Sequence, residues 1–445
     1  MKKYLYILGV SFIISLILLL FTKEPMQPDS FGYDTIGFNL AEGHGYVNEA
    51  RVPVMSREPV YPTFLALVYL IFGHNYFFVQ LAQIILFLLT LIFVYKIAKL
   101  IFDEKIAIYS ITITAFSPTL VNYPAYILSE TVFTFLLALF VYLCVKIYHT
   151  EKLIYYILTG VVLAASALCK AVMLPFIFIL LIWMALTSRA GKVNIRRKII
   201  KTGIMVLIYA AIVMPWMYRN YTICESFSLR QGSEVPLCSK VQKLDYDIDD
   251  FKQHIVFAIS ENLGKKIYPD AIENPRDFLF KEDILAREKI LPELRRKGYS
   301  AKEIKNMMIS EIMKRPFKFL AISALDLLRM TQFTYLPLLI YEKDLIRRII
   351  NLPHGRLILS IARGIFRLFA YLLILLSFVG LVIKKRLWRK WLFLVLIVCY
   401  TNFIYSLIYG HGRYGVPLIP YYIILSTPVI VMIKEKMKGA IKCQE

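Results

Sequence analysis

Residues 76–95 read YFFVQLAQIILFLLTLIFVY, an apolar run without a charged side chain. A helix of about 20 residues is about 30 Å long and matches the hydrocarbon core of a bilayer, so this run predicts a transmembrane helix. Similar runs recur along the 445-residue chain, which is 58% hydrophobic and only 19% charged. A soluble chain could not cover so much apolar surface with so few charges. No ten-residue alternation indicates a barrel, and we therefore predict an all-α polytopic membrane protein.

The apolar runs predict about ten transmembrane helices. They lie at 4–22, 76–95, 106–121, 128–147, 153–169, 171–187, 202–218, 366–383, 391–408 and 416–433. The first run follows a Met-Lys-Lys start and is similar to a signal peptide, but it has no small-residue cleavage site and Lys23-Glu24-Pro25 follows at once. We expect this run to be retained as the first span, with cleavage as the alternative.

The net charge of +22 is informative through its distribution. Lys and Arg collect in short loops between the apolar runs, near 96–105, 146–152, 189–201, 384–390 and 434–442. This is the positive-inside pattern, which sets orientation and favours anionic lipid headgroups. It predicts a multi-pass protein of the plasma (inner) membrane with both termini in the cytoplasm, and it argues against a nucleic-acid partner.

With those loops inside, two large segments face outwards, and they divide the chain into three regions. We predict a transmembrane core at 1–218 that carries the first outer loop (23–75), a mainly helical non-cytoplasmic segment at 219–365, and C-terminal spans with a basic cytoplasmic tail at 366–445. The apolar stretches 60–73 and 317–333 could each cross the membrane. We expect both to lie at the outer interface instead, because 60–73 is too short and an extra crossing would invert the later loops.

Cysteine and histidine positions give little chemical direction. Cys224 and Cys238 share the second outer segment, where an oxidising compartment would allow a disulfide, and two free thiols are an equal alternative. The six histidines show no ligand spacing and indicate no metal motif. No cofactor is predicted with certainty, and a divalent metal is left open.

The first outer loop holds the most informative sequence, QPDSFGYDTIGFNLAEG at 27–43. Apolar or small residues at positions 33, 36, 37 and 40 form one face of a short helix, which Asp29 or Ser30 would cap and Gly43 would end. Asp34 lies roughly 140° around such a helix from Asp29, so the two carboxylates should diverge. Asp29 is therefore either an N-cap or a general base at a helix tip on the outer membrane surface.

Several short motifs resemble one family when they are taken in order. They are Asp29 with Tyr33, the segments 39–46, 57–62, 72–73, 95–98 and 129–130, and the later segments 215–220 and 413–417. This order resembles the GT-C glycosyltransferases, in the branch of protein O-mannosyltransferases, lipid A aminoarabinose transferases and Rgt-like bacterial enzymes. The resemblance covers about the first 220 residues and, less closely, the end of the chain.

The resemblance implies a polyprenyl-phosphate sugar donor, transfer on the non-cytoplasmic face and an aspartate base in the first loop, which corresponds to Asp29. Two departures stand out. Ser30 replaces an acidic residue of the mannosyltransferases and aminoarabinose transferases, and Glu58 is displaced from the position of a second loop acid. The acceptor implied is a hydroxyl group of a glycan, a lipid or a protein.

Chemistry alone also directs attention to cations at the outer ends of spans. A departing lipid phosphate needs Arg or Lys in a partly desolvated place, which makes Arg57, Lys170, Arg219 and Arg413 candidates. For the last three, the alternative is that the charged end only reaches the interface from the end of a span. Further candidates for donor binding are Tyr33, Glu58, Glu130 and Tyr414; Glu130 otherwise only caps its helix.

Together these features predict an inverting, lipid-phosphate-sugar-dependent glycosyltransferase. A transporter or flippase of lipid-linked sugars is a different class of function, and it would predict repeated, broken helices in two matching halves, which the sequence lacks. A polysaccharide polymerase or ligase would also handle lipid-linked sugars, but it would release a polyprenyl pyrophosphate.

Overall fold

The computed structural model describes residues 2–22, 24–187, 195–232, 234–259, 261–269, 281–330, 349 and 351–442. Within these ranges the ordered elements are helices, apart from one isolated bridge between Val47 and Pro53. The first thirteen are α1 (Lys2–Phe21), α2 (Pro28–Ala41), α3 (Val60–Phe72), α4 (Tyr76–Ile101), α5 (Glu104–Ala115), α6 (Pro118–Asn122), α7 (Glu130–Thr150), α8 (Leu153–Cys169), α9 (Phe176–Leu186), α10 (Ile195–Cys224), α11 (Glu234–Lys243), α12 (Ile248–Ile259) and α13 (Glu261–Ile267). After a π-helical turn at Ala286–Ile290 come α14 (Leu291–Arg296), α15 (Ala301–Lys314), α16 (Pro316–Met330), α17 (Gly355–Ile383), α18 (Trp388–Ile408) and α19 (Ile419–Lys442).

The all-α polytopic fold is confirmed. In the part of the chain that the structure describes, seven helical stretches are long and apolar enough to cross a membrane: Tyr4–Phe21, Tyr76–Ile101, Glu130–Thr150, Ile195–Cys224, Leu357–Ile383, Lys385–Ile408 and Gly412–Met437. Three shorter apolar ones accompany them, at Val60–Phe72, Leu153–Cys169 and Ala171–Leu186. Helix α3 has 13 residues and a length of about 20 Å at 1.5 Å per residue, which is shorter than a hydrocarbon core of about 30 Å; its place at the outer interface stays a prediction.

Two predicted spans are interrupted by proline. The expected helix 106–121 is instead α5 with 12 residues, and α6 begins at Pro118 after a break at Phe116 and Ser117. The expected helix 171–187 is a 3₁₀ turn, Ala171–Met173, followed by α9 after Pro175. Proline has no N–H group to donate inside a helix, and it is favoured at the start of one. In each segment the first helix therefore ends before the proline, and a new helix begins next to it.

The segment between α6 and α7 is held in place by buried amide groups of α4. Gln80 Nε2 donates to the carbonyl of Ala125 at 2.6 Å, and Gln83 Nε2 donates to those of Pro124 and Tyr126 at 2.9 and 2.8 Å. These bonds give partners to buried carbonyls in and just after the 3₁₀ turn Tyr123–Ala125. They fix the approach of the chain to the start of α7.

Helices α2 and α3 pack closely above this core. A Cβ at Gly37 would lie 2.8 Å from Leu65 Cβ, so only glycine permits the crossing. Asp34, on another side of α2, accepts hydrogen bonds from Tyr69 at 2.6 Å and Tyr76 at 2.9 Å, and it also contacts His74. Asp34 thus ties α2 to the C-terminal end of α3 and to the start of α4.

The described part of the second outer segment is helical and docks on α18. Helix α10 continues past the predicted boundary at 218/219 to Cys224, where Glu225 adopts a left-handed conformation with φ 55°. Asp326 of α16 is buried and pairs with Lys240 at 2.7 Å, Lys243 at 3.6 Å and Arg329 at 3.3 Å. Lys240 also donates to the carbonyl of Ser406 in α18 at 2.6 Å.

Two predictions from the sequence concern this segment. Cys224 and Cys238 are both free thiols, so the disulfide alternative is wrong; the Cys224 thiol donates to the carbonyl of Asn220 at 2.9 Å. The stretch predicted at 317–333 corresponds to α16 up to Met330, and positions 331–333 lie outside the described residues.

Candidate active site

Asp29 lies in the first turn of α2 but does not cap the helix. The N-cap residue is Gln27, whose N–H donates to Ser30 Oγ at 2.8 Å. The Ser30 hydroxyl in turn donates to the carbonyl of Ile127 at 2.7 Å, which joins the start of α2 to the segment before α7. The expectation that Asp29 or Ser30 is the N-cap is therefore wrong: Ser30 accepts the N–H of the N-cap residue from the third helical position, and the Asp29 carboxylate remains available for other contacts.

Two arginines from distant parts of the chain share the Asp29 carboxylate. Arg57 Nη2 lies 2.9 Å from Asp29 Oδ1, and Arg413 Nη2 contacts Asp29 Oδ2. The side chain of Asp29 keeps 27% of its surface exposed, so a ligand can approach it. Burial alone would raise the pKa of Asp29, but the charges of Arg413 and Arg57 outweigh it and hold that pKa well below its usual value. The carboxylate is consequently ionised at neutral pH.

A second carboxylate lies below this pair, at the start of α7. Glu130 is only 2% exposed, and its Oε1 lies 3.4 Å from Lys170 Nζ and 3.7 Å from Arg413 Nε. Glu130 thus pairs with two cations of the site in addition to opening a helix. Asp29, Arg413, Glu130 and Lys170 form one continuous chain of alternating charge.

Aromatic rings flank the charged groups. The Arg57 guanidinium lies 5.0 Å from the centre of the Tyr33 ring, and the Tyr33 hydroxyl is 3.5 Å from Ser129 Oγ. Tyr414 lies beside both Arg413, at 5.4 Å, and Lys170, at 5.8 Å. Such cation–π contacts orient the cations while leaving their N–H groups free to bind other groups.

Glu58 is buried at the edge of the site and has a structural contact that its sequence position did not indicate. Its Oε1 accepts the N–H of Ala171 at 3.0 Å, which fixes the backbone next to Lys170. Arg230 Nη1 approaches the same oxygen at 3.7 Å. Arg230 therefore adds a cation next to the buried Glu58 carboxylate. It lies in a short loop after α10 whose sequence carries no recognisable pattern, and sequence reasoning missed it.

Arg219 is the predicted cation that the structure keeps apart from Asp29. Its guanidinium donates to the carbonyls of Val54 at 2.9 Å and Tyr46 at 3.3 Å, and it stacks 4.7 Å from the Trp216 ring. These contacts hold the loop that precedes Arg57. Arg219 accordingly positions the first outer loop.

His411 is a second residue that the sequence did not reveal. Its Nδ1 accepts the N–H of Arg413 at 3.2 Å, which orients the arginine that reaches Asp29. Burial, followed by the charge of Arg413, lowers the pKa of His411 to about 3. The imidazole is therefore neutral at pH 7 and adds no charge to the site. Within the described ranges, no group of three His, Cys, Asp or Glu side chains is placed to hold a metal ion.

Solved structures share this architecture. The oligosaccharyltransferase of Archaeoglobus fulgidus, in complex with Zn and sulfate, superposes with a TM-score of 0.51 at 12% identity, over 97% of this chain and 49% of its own. The chain thus spans about half the length of that protein. The same enzyme, AglB, in complex with an inhibitory peptide and a dolichol-phosphate has a TM-score of 0.49 at 14% identity, over 100% of this chain and 52% of its own. ArnT from Cupriavidus metallidurans bound to undecaprenyl phosphate has a TM-score of 0.44 at 13% identity, over 96% and 78%.

The fold is that of a multi-pass helical membrane protein and is similar to the fold of that oligosaccharyltransferase. Residues 53–218 match the family model of dolichyl-phosphate-mannose-protein mannosyltransferases, a stretch that holds Arg57, Glu58, Glu130 and Lys170. This match over less than half of the chain, together with the shared oligosaccharyltransferase fold, confirms the resemblance to GT-C glycosyltransferases that the motifs indicated. No curated protein sequence matches the chain.

Proposed function

We propose that the protein transfers a sugar, with inversion, from a polyprenyl-phosphate donor to an acceptor hydroxyl on the non-cytoplasmic face of the membrane. The observation that carries this proposal is the ionised Asp29 carboxylate shared by Arg57 and Arg413 in a partly exposed site. The donor class is supported by the family model that residues 53–218 match, since dolichyl-phosphate-mannose is a polyprenyl-phosphate sugar.

In the reaction, the Asp29 carboxylate and its partners Arg57 and Arg413 have different roles. The donor phosphate engages the arginines, and every contact that it takes from Asp29 makes this carboxylate a stronger base. Asp29 then accepts the proton of the acceptor hydroxyl, whose oxygen forms a bond to the anomeric carbon. The bond from that carbon to the phosphate oxygen breaks, and its electron pair leaves with the phosphate, which Arg57, Arg413 and Lys170 stabilise. The products are an inverted glycoside and a polyprenyl monophosphate.

The test is turnover of a panel of polyprenyl-phosphate sugars by the purified protein in nanodiscs. We expect release of polyprenyl monophosphate, and we expect Asp29→Asn to lose about 10²–10⁴-fold in rate, the usual contribution of a general base. Asp34→Asn is the matched control, because Asp34 lies on the same helix but contacts Tyr69 and Tyr76 instead. Turnover by Asp29→Asn at the rate of the control would overturn the proposed role.

The products also separate this reaction from the alternatives. Release of a polyprenyl pyrophosphate would indicate a polymerase or ligase. Movement of intact donor across the bilayer without sugar release would indicate a flippase.

A further inference from the structure

A cavity of about 490 Å³ opens beside the exposed end of α2. Its walls come from α2 and from the loop that leads to Arg57, and they include Phe31, Gly32, Thr35, Glu49, Ser56 and Arg57. Its volume falls within the roughly 300–1,000 Å³ of small-molecule sites. The donor phosphate, on the proposed reaction, engages the charged groups on the other side of Arg57 and leaves this cavity without an assigned ligand.

The cavity and the proposed base share one residue. Arg57 lines the cavity, and its Nη2 is 2.9 Å from Asp29 Oδ1. Gly32 lies three positions after Asp29 on the same helix, and a Cβ there would already be 3.5 Å from Arg57 Nε. The guanidinium therefore lies directly against the helix backbone between cavity and carboxylate. A ligand in the cavity that reaches past Arg57 can present a hydroxyl to Asp29.

The composition of the walls selects the kind of ligand. Phe31 exposes 62% of its surface although it sits in an ordered helix. The side chains of Thr35, Ser56 and Glu49 make no hydrogen bond to any other described residue, so their polar groups are available to a ligand. An exposed aromatic face beside unpaired hydroxyl and carboxylate groups, with the Asp29-paired guanidinium of Arg57 at the edge, suits a sugar ring, which has an apolar C–H face and a rim of hydroxyls.

The loop wall is held rigidly, as a binding site requires. Asn39 Nδ2 donates to the carbonyls of Val47 and Asn48 at 3.2 and 3.1 Å, and Arg219 holds the carbonyl of Val54. Asn48 Oδ1 accepts the N–H of Val52 at 3.0 Å, which closes the turn between them. Little loop ordering would remain to be done when a ligand binds.

We propose that this cavity is the acceptor subsite and that the acceptor is a carbohydrate whose hydroxyl receives the transferred sugar. The claim that the carbohydrate's hydroxyl receives the sugar rests on the proposed function. The claim that the cavity binds a carbohydrate does not. The proposal assigns acceptor recognition to the first outer loop.

The test combines binding and kinetics on the full-length protein in nanodiscs. Saturation-transfer NMR would use methyl α-mannoside, methyl β-glucoside and chitobiose as carbohydrate probes. A Ser/Thr-containing peptide would be tested in the same way as the alternative class of ligand. We expect at least one carbohydrate to bind, and we expect Phe31→Ala to weaken its binding about tenfold. The matched control is Phe38→Ala, since Phe38 is also exposed on α2 but stacks near His74, away from the cavity. In transfer assays, Phe31→Ala should raise the half-saturating acceptor concentration by a similar factor, and Thr35→Val and Ser56→Ala should raise it several-fold.

The outcomes separate the two proposals. Binding of the peptide with no binding of any carbohydrate would overturn the subsite assignment, as would equal carbohydrate affinities for Phe31→Ala and Phe38→Ala. Carbohydrate binding that depends on Phe31, together with no donor turnover by the wild type, would uphold the carbohydrate site and refute the glycosyltransferase reaction. Donor turnover that does not change on substitution of Phe31, Thr35 or Ser56 would uphold the glycosyltransferase reaction and refute the acceptor subsite.

Discussion

Asp29→Asn should have opposite effects on turnover and on product binding. In the absence of substrate, Asp29 forms ion pairs with both Arg57 and Arg413. These two arginines are also the groups proposed to bind the lipid phosphate. The substitution removes the negative charge and keeps the shape of the side chain. The arginines then meet a phosphate without a competing carboxylate, so a polyprenyl phosphate should bind more tightly even though transfer is lost.

The magnitude follows from the geometry. A phosphate on the far side of the same guanidinium groups would lie roughly 6 Å from the carboxylate, where two unit charges repel by about 2.8 kcal/mol at an effective dielectric constant of about 20. Asp29 and its two partners each expose about a quarter of their surface, and halving the energy for solvent screening leaves about 1.4 kcal/mol. That energy corresponds to about a tenfold gain in affinity.

The assay is titration of the nanodisc-embedded protein with fluorescent farnesyl phosphate, with Asp34→Asn as a charge-matched control on the same helix. We expect the control to bind like the wild type and Asp29→Asn to bind about tenfold more tightly. Equal or weaker binding by Asp29→Asn would mean that the phosphate does not compete for these arginines. The exchange of partners proposed for the reaction would then be wrong.

Three further outcomes test the surrounding structure. Asp326→Asn leaves buried cations without their carboxylate and should cost about 3–5 kcal/mol in denaturant unfolding; a loss below about 1 kcal/mol would contradict the buried network. Gly410→Ala would place a Cβ 2.4 Å from Asp326 Cβ and should raise the donor KM at least tenfold by shifting the segment that carries the site arginine, whereas Gly203→Ala, with open space around it, should not. Burial, followed by the charge of Arg329, lowers the pKa of His254 to about 3, so the unfolded chain binds more protons below about pH 6.5. Stability should therefore fall as the pH drops from about 6.5 towards 3, and His254→Gln should flatten that part of a melting-temperature profile.

The membrane helices were predictable because lipid imposes a simple rule of length and polarity. Residues 4–22, 76–95 and 128–147 fall within or beside observed helices for that reason. Apolar content alone could not reveal the breaks near Pro118 and Pro175, because the hydropathy of these runs continues across them.

The site was predictable only in part, because its members are distant in sequence. Arg413 lies 384 positions from Asp29, and only the order of motifs in a related family suggested that the two meet. Arg219 fitted the same chemical expectation, but its place relative to the loop carbonyls depends on packing. Arg230 and His411 belong to short loops without periodicity, so nothing in their local sequence marked them.

The buried contact of Lys240 with Asp326 and with the Ser406 carbonyl has an evolutionary consequence. It anchors the outer segment to the end of α18, a few residues before the turn that presents Arg413 to Asp29. Helices beyond this anchor can be lengthened, trimmed or replaced while the arginine keeps its position. Recombination between relatives is therefore best tolerated on the outer side of Lys240 and Asp326, and chimeric enzymes joined there should retain their reaction centre.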